Sequence, residues 1–283
     1  MRKVKLVADS SSDLFVLEGA DFTAAPLKIR TAEREFVDDA KLDVKEMATY
    51  LKTYKGKSST SCPNVGDYLE AFGDADEVYC VTITATLSGS YNAAVLAKRA
   101  YEEEHPERKV FVLNSLSTGP EMALILEKIK ESVDAGLEFD QVCKTAEDYS
   151  KTTGLLFMLE SLSNLANNGR VKPVVAKMAG ILGIRMVGKA SDRGDLEPLA
   201  KCRGEKKTLE EIVSQLEKLG FCGGKVYITH CLNEDAASAL ADMIKAKFRG
   251  TQIKIYKTGG LCSFYAELGG MLIGFEKNAD FQS

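Results

Sequence analysis

Apolar residues in the first half of the chain form short runs that alternate with stretches of helical spacing. Val4–Ala8 reads as a buried strand ending at Asp9, and Phe22–Ile29 reads as a second strand. Val44, Met47, Leu51 and Tyr54 recur at helical spacing behind an Asp43–Glu46 capping box. Val65–Phe72 has a helical pattern, Glu77–Ile83 that of a strand, and Ser90–Glu104 is Ala-rich and helical. Val110–Asn114 is a further strand, followed by a helix from about Pro120 to Ala135. This βαβα order predicts a mostly parallel sheet covered by helices.

The second half changes character. Leu155–Leu159 is strand-like and precedes a polar turn, Asn167-Asn168-Gly169-Arg170. A Gly-interrupted apolar stretch, Met178–Val187, comes next. A capping box at Thr208–Glu211 predicts a helix with Ile212, Val213, Leu216 and Leu219 on one face. Lys225–His230 reads as a strand, Asp235–Lys247 as a helix and Thr251–Tyr256 as a strand. Gly259 and Gly260 open a loop, and Gly269 and Gly270 precede a last strand, Met271–Phe275. The expectation is an α/β protein of two α/β domains, residues 1–152 and 153–283, with the junction in Lys151–Gly154. The first carries a mostly parallel sheet and the second a mixed one.

Composition narrows the function. The chain has 283 residues, enough for two cores, and 45% of them are hydrophobic. Net charge is −4 with Lys and Arg scattered, which offers no footprint for nucleic acid or an anionic membrane surface. No apolar run approaches the roughly 18 residues that cross a bilayer. The N-terminal apolar run is too short for a signal peptide and is interrupted by Asp9. A cytoplasmic protein without stable membrane insertion is therefore expected.

Seven Cys, an odd number without CxxC spacing, argue against a disulfide framework or a zinc site. Only His105 and His230 could serve a mechanism that needs imidazole. No phosphate loop, dinucleotide-binding Gly pattern or HExxH is present, so neither cofactor nor metal is expected. The pairs Asp38–Asp39 and Glu210–Glu211 lie in turn or capping contexts and read as solvated.

In parallel sheets, ligands bind outside the carboxyl ends of the strands. Asp9 and Ser10, Thr84–Tyr91 and Asn114–Ser117 stand there, rich in small hydroxyl residues. Ser59-Thr60-Ser61-Cys62-Pro63 is either a capping turn or a hydroxyl cluster that donates to an anion. Thr86-Leu87-Ser88-Gly89-Ser90-Tyr91 is either a simple N-cap or an anion site at a helix N-terminus. Arg170, beside a turn Gly, is either solvated or a bidentate partner for a carboxylate or phosphate. Gly259–Gly270, with Ser263, Tyr265 and Glu267, is either a connecting loop or a flap over a site.

Together these segments resemble the DegV family. The resemblance rests on Asp9-Ser10-Ser11-Ser12-Asp13-Leu14, Pro26-Leu27, Thr60-Ser61-Cys62-Pro63 and Leu87-Ser88-Gly89-Ser90-Tyr91. It continues through Asn168-Gly169-Arg170-Val171 and Arg203-Gly204-Glu205-Lys206-Lys207, in one order from about residue 3 to 275.

The resemblance implies two α/β domains that bind one long-chain fatty acid in an interdomain tunnel, and a possible fatty-acid kinase as partner. It implies that Thr60 and Ser88 bond the carboxylate, with Ser61 and Gly89 beside them and Arg170 near the head group. Arg203 would lie on a face that meets the kinase. Cys62 stands where the family has Gln, and Tyr265 where its late loop has His; Tyr keeps a hydroxyl donor but not an imidazole. The protein is thus expected to be a lipid carrier and not an enzyme. The alternatives are a serine-dependent hydrolase or transferase with Ser88 as nucleophile, which lacks a suitably spaced base, and an interaction protein without a ligand.

A buried methylene contributes about 0.8 kcal/mol, so a C16 tail gains about 10 kcal/mol before ordering costs. The tail supplies most of the affinity, and the head-group donors select a carboxylate and fix its orientation. Gly180-Ile181-Leu182-Gly183-Ile184 is a candidate tunnel wall or ordinary core.

Overall fold

A computed structural model describes residues 2–172 and 183–278. Strands β1 (Val4–Asp9), β2 (Phe22–Ala25), β6 (Glu77–Thr82) and β7 (Lys109–Asn114) form a parallel sheet in the order β2-β1-β6-β7. Every residue of β6 is buried, as expected for a central parallel strand covered on both faces. Helices α2 (Val65–Phe72) and α3 (Ser90–Glu104) cover one face through Tyr68, Phe72, Ala94 and Ala97 against Val7, Val78 and Cys80. Helices α4 (Pro120–Asp134) and α5 (Phe139–Lys151) cover the other, where Met122, Ile125 and Val142 meet Leu6, Tyr79 and Val81.

The second sheet is mixed. It contains β8 (Thr153–Leu159), β9 (Ile184–Ala190), β10 (Leu196–Arg203), β11 (Lys225–His230), β12 (Gln252–Lys257) and β13 (Met271–Glu276). Their order is β10-β9-β8-β13-β11-β12, antiparallel except for the parallel pair β11–β12. Helices α7 (Glu205–Lys218) and α8 (Glu234–Lys247) pack on its outer face. Its inner face turns toward α4.

Helix α4 is therefore buried between two sheets, with Ala123 and Leu124 packing against Tyr227 of β11. Close approach requires a glycine at Gly274 of β13. A Cβ there would lie 2.5 Å from the backbone N of Glu121.

A third, small sheet, β4-β3-β5, joins β3 (Lys28–Arg30), β4 (Glu35–Val37) and β5 (Ser59–Ser61). Ile29, Met47 of α1 (Val44–Thr53) and Phe264 of α9 (Gly260–Ala266) form its core. A short α6 (Ser163–Asn167) follows β8. Among the described residues no helix is long and apolar enough to cross a membrane. All seven cysteines are free.

Several expectations are corrected. Phe22–Ile29 is two strands in two sheets, because Pro26 has no N–H to continue a ladder. The helix expected at Thr208 begins at Glu205, and Thr208 Oγ1 donates to the Gly204 carbonyl (2.8 Å) from inside the helix. At Asp43–Glu46 only half of the box forms, with the Glu46 N–H donating to Asp43. The loop expected at Gly259–Gly270 contains helix α9. The reading of Met178–Val187 falls partly outside the described residues; from Ile184 onward it is β9, whose partner β10 the pattern does not announce. Helix α5 gives little apolar signal in the sequence, since Val142 and Ala146 are its only buried side chains.

Candidate functional site

The three loops after β1, β6 and β7 converge where the parallel sheet faces the inner side of the mixed sheet. A cavity of about 300 Å³ lies there, at the small end of ligand pockets. One wall is a single face of the mixed sheet. Alternate residues Leu155, Phe157 and Leu159 of β8 point into the cavity, joined by Ala190 of β9, Leu196 of β10 and Leu272 of β13. The opposite wall comes from Ile83, Thr84, Leu116 and Thr118 of the converging loops.

The polar end of the cavity is built from separate elements. Thr60 and Ser61 sit on β5, fixed by antiparallel pairing with Ile29 and Lys28. Thr60 Oγ1 and Tyr265 Oη, 205 residues apart, share a hydrogen bond of 2.8 Å. Burial raises the Tyr265 pKa, and the bond with Thr60 and the charge of Arg170 pull it back down. Tyr265 therefore remains a neutral hydroxyl.

Ser88 and Gly89 stand at the start of the 15-residue helix α3, whose N-cap is Gly89 and which has no side-chain cap. The Ser90 N–H donates to Ser88 Oγ (3.2 Å), and the helix dipole favours an anion at this end. Arg170 Nε donates to the Leu87 carbonyl (3.2 Å) and Nη1 to the Asn168 carbonyl, tying the turn after α6 to the same loop.

Thr60, Ser61, Ser88, Gly89, Arg170 and Tyr265 thus all line one cavity. Arg203 does not; it is exposed at the end of β10. Of the candidate wall at Gly180–Ile184, residues 180–182 lie outside the described residues, and neither Gly183 nor Ile184 lines the cavity.

Sequence reasoning missed a buried acid cluster behind the site. Asp38, expected to be solvated, is fully buried. It accepts from Ser10 Oγ (2.8 Å) and from the N–H groups of Gly260 (2.5 Å) and Leu261 (2.9 Å). Asp13 accepts from the Gly259 N–H (2.7 Å). Asp9 accepts from Ser11, from Ser90 Oγ (2.6 Å) and from the Ile83 N–H (2.9 Å). Together they anchor the loops and the start of α9, which bears Tyr265. Burial raises the pKa of Asp38 to about 6 and of Asp13 to about 7. The one signal in the sequence was the dense Asp9–Asp13 hydroxyl and acid run after β1.

Residues 3–278 match the model described as "Uncharacterised protein, DegV family". The chain belongs to the DegV family. A DegV domain-containing protein of Streptococcus pneumoniae is 43% identical over 276 residues, covering 96% of this chain and 98% of that one.

Among DegV structures, one from Eubacterium eligens loaded with heptadecanoic acid is 46% identical. It has a TM-score of 0.95 and covers 97% of this chain and 100% of its own. The fatty acid kinase (Fak) B3 protein of Streptococcus pneumoniae, loaded with linoleic acid, is 42% identical. Its TM-score is 0.96, with coverage of 98% and 100%. The DegV fold expected from the sequence, a parallel sheet followed by a mixed one, is therefore present.

Proposed function

We propose that this protein binds one long-chain fatty acid between its two sheets and presents it to a fatty-acid kinase. The observation that carries this is the lining of the cavity, a wall of Leu, Phe and Ala side chains that ends in neutral donors. An acyl tail gains about 0.8 kcal/mol per methylene buried against such a wall. A carboxylate requires donors when it leaves water. Thr60, Ser88 and the α3 N-terminus supply them without a full counter-charge, Arg170 adds positive potential, and Ser61 and Gly89 complete the rim. The cavity is the tunnel in this reading, and the domain boundary falls between residues 152 and 153, where α5 gives way to β8.

Arg203, exposed and outside the cavity, is assigned to the kinase-facing surface. The acyl-loaded relatives, above all the Fak B3 protein, support the lipid and the partner. Free cysteines support a cytoplasmic setting. For the hydrolase alternative, neither histidine lines the cavity, and the Ser90 N–H is what bonds Ser88 Oγ.

The test is to mix fatty acid, ATP and a fatty-acid kinase with and without this protein and to measure acyl phosphate. Product should require the protein, and Arg203→Glu should lower product while leaving lipid binding intact. Product formed equally well without the protein would refute the carrier role.

A further inference from the structure

Phe157 on β8 and Gly188 on β9 are paired directly across the antiparallel ladder. Residues paired in this way project from the same face. That face is the cavity wall, because Phe157 lines the cavity together with Ala190, two residues after Gly188. The Phe157 ring lies down over Gly188. A Cβ built at residue 188 would be 2.3 Å from Phe157 Cζ and 2.5 Å from Cε2.

It would also be 2.7 Å from the Glu197 carbonyl oxygen of β10. There the ladder shifts register between Pro198 and Ala200, and Pro198 faces Gly188. The glycine is thus demanded by space on two sides. Phe157 and Leu272, also directly paired, extend the same row to β13.

We propose that the Gly188–Phe157 pair sets the depth of the cavity at its sheet wall and so selects which acyl tails it admits. The proposal rests on the fatty-acid reading above and names its selectivity element. With Gly188 the ring lies flat and leaves its thickness of space to the ligand. A methyl group at residue 188 forces the ring off the strand by about 1 Å to reach ordinary contact. The strand lies behind it, so the ring moves into the cavity. Shrinking Phe157 has the opposite effect and deepens the wall.

The experiment measures dissociation constants of delipidated protein for laurate, palmitate and oleate by calorimetry, with folding checked by thermal melting. Gly188→Ala should weaken oleate and palmitate about tenfold relative to laurate, the scale of one methylene in an apolar pocket. Phe157→Leu should shift the preference toward the bulkier, bent oleate, and the double variant, where folded, should regain the part of the loss that the displaced ring causes.

If the methyl group at residue 188 prevents folding through its clash with β10, Phe157→Leu decides the question alone. An unchanged order and spacing of the three ligands in a folded variant overturns the proposal. Failure of the unaltered protein to bind any of the three would instead overturn the fatty-acid reading.

Discussion

The two faces of strand β8 carry similar side chains to different ends. Leu156 and Met158 point outward and are locked under α7 and α8 with Ile212, Leu216, Leu240 and Ile228. Leu155, Phe157 and Leu159 point inward to a cavity wall. All five are at most 5% exposed, so burial alone does not separate them. What separates them is the partner, packed helices on one side and, on the other, a smaller apolar cluster with Leu162, Leu165 and Cys262 that borders the cavity. A face meant only for stability would be filled to close-packed density. The inner face leaves room beside neutral donors, and in the proposed function that room takes the acyl tail.

The largest effect expected from breaking this contrast is in stability. Leu156→Ala, in the filled face, should cost about 2–5 kcal/mol in urea unfolding. Leu159→Ala, beside existing space, should cost less than about 2 kcal/mol in ligand-free protein, because fewer contacts are lost. Equal costs would mean that the inner face is as fully packed as the outer.

Next is the response to ligand. Oleate at about 100 times its dissociation constant should stabilise the protein by about 2.7 kcal/mol, read as a higher melting temperature. The Leu156→Ala variant, whose cavity wall is untouched, should show the same increment.

The polar end gives a smaller effect. Thr60→Val with Ser88→Ala should weaken fatty-acid binding roughly 10- to 100-fold, the scale of hydrogen bonds to a charged group. The melting temperature without ligand should fall by no more than several degrees, from loss of the bonds to Tyr265 and the Ser90 N–H. Loss of the fold would reassign these hydroxyls to structure.

Per pH unit, the smallest effect is electrostatic. Asp13 and Asp38 bind a proton more tightly in the folded chain than in the unfolded one, where Asp titrates near 3.9. Their stabilisation is complete below about pH 4. It is lost as pH rises through about 6 for Asp38 and about 7 for Asp13. Stability should fall by on the order of 1 kcal/mol per pH unit across that window, and Asp13→Asn should flatten the slope. A stability that rises from pH 5 to 7 would contradict the assignment.

The sequence made the parallel half legible because its strands are covered on both faces and therefore read as unbroken apolar runs. It also marked the six residues at the polar end of the cavity, five by their small hydroxyls, glycine or lone arginine and Tyr265 within the Gly-flanked Gly259–Gly270 segment. The rest depended on long-range pairing. β5 is three polar residues, Ser59–Ser61, and is a strand only because β3 offers a ladder. Asp38 reads as solvated beside Asp39, yet α9, more than 200 residues later, buries it and gives it two N–H donors. The β9–β10 hairpin is half-exposed, so its hydrophobic pattern is weak.

Native mass spectrometry of protein purified from bacterial cells tests the central claim most directly. The unaltered chain should carry the added mass of one fatty acid, and the Thr60→Val, Ser88→Ala protein should be largely free of it while still folded. A chain that arrives bare and gains no mass when mixed with oleate would contradict the account.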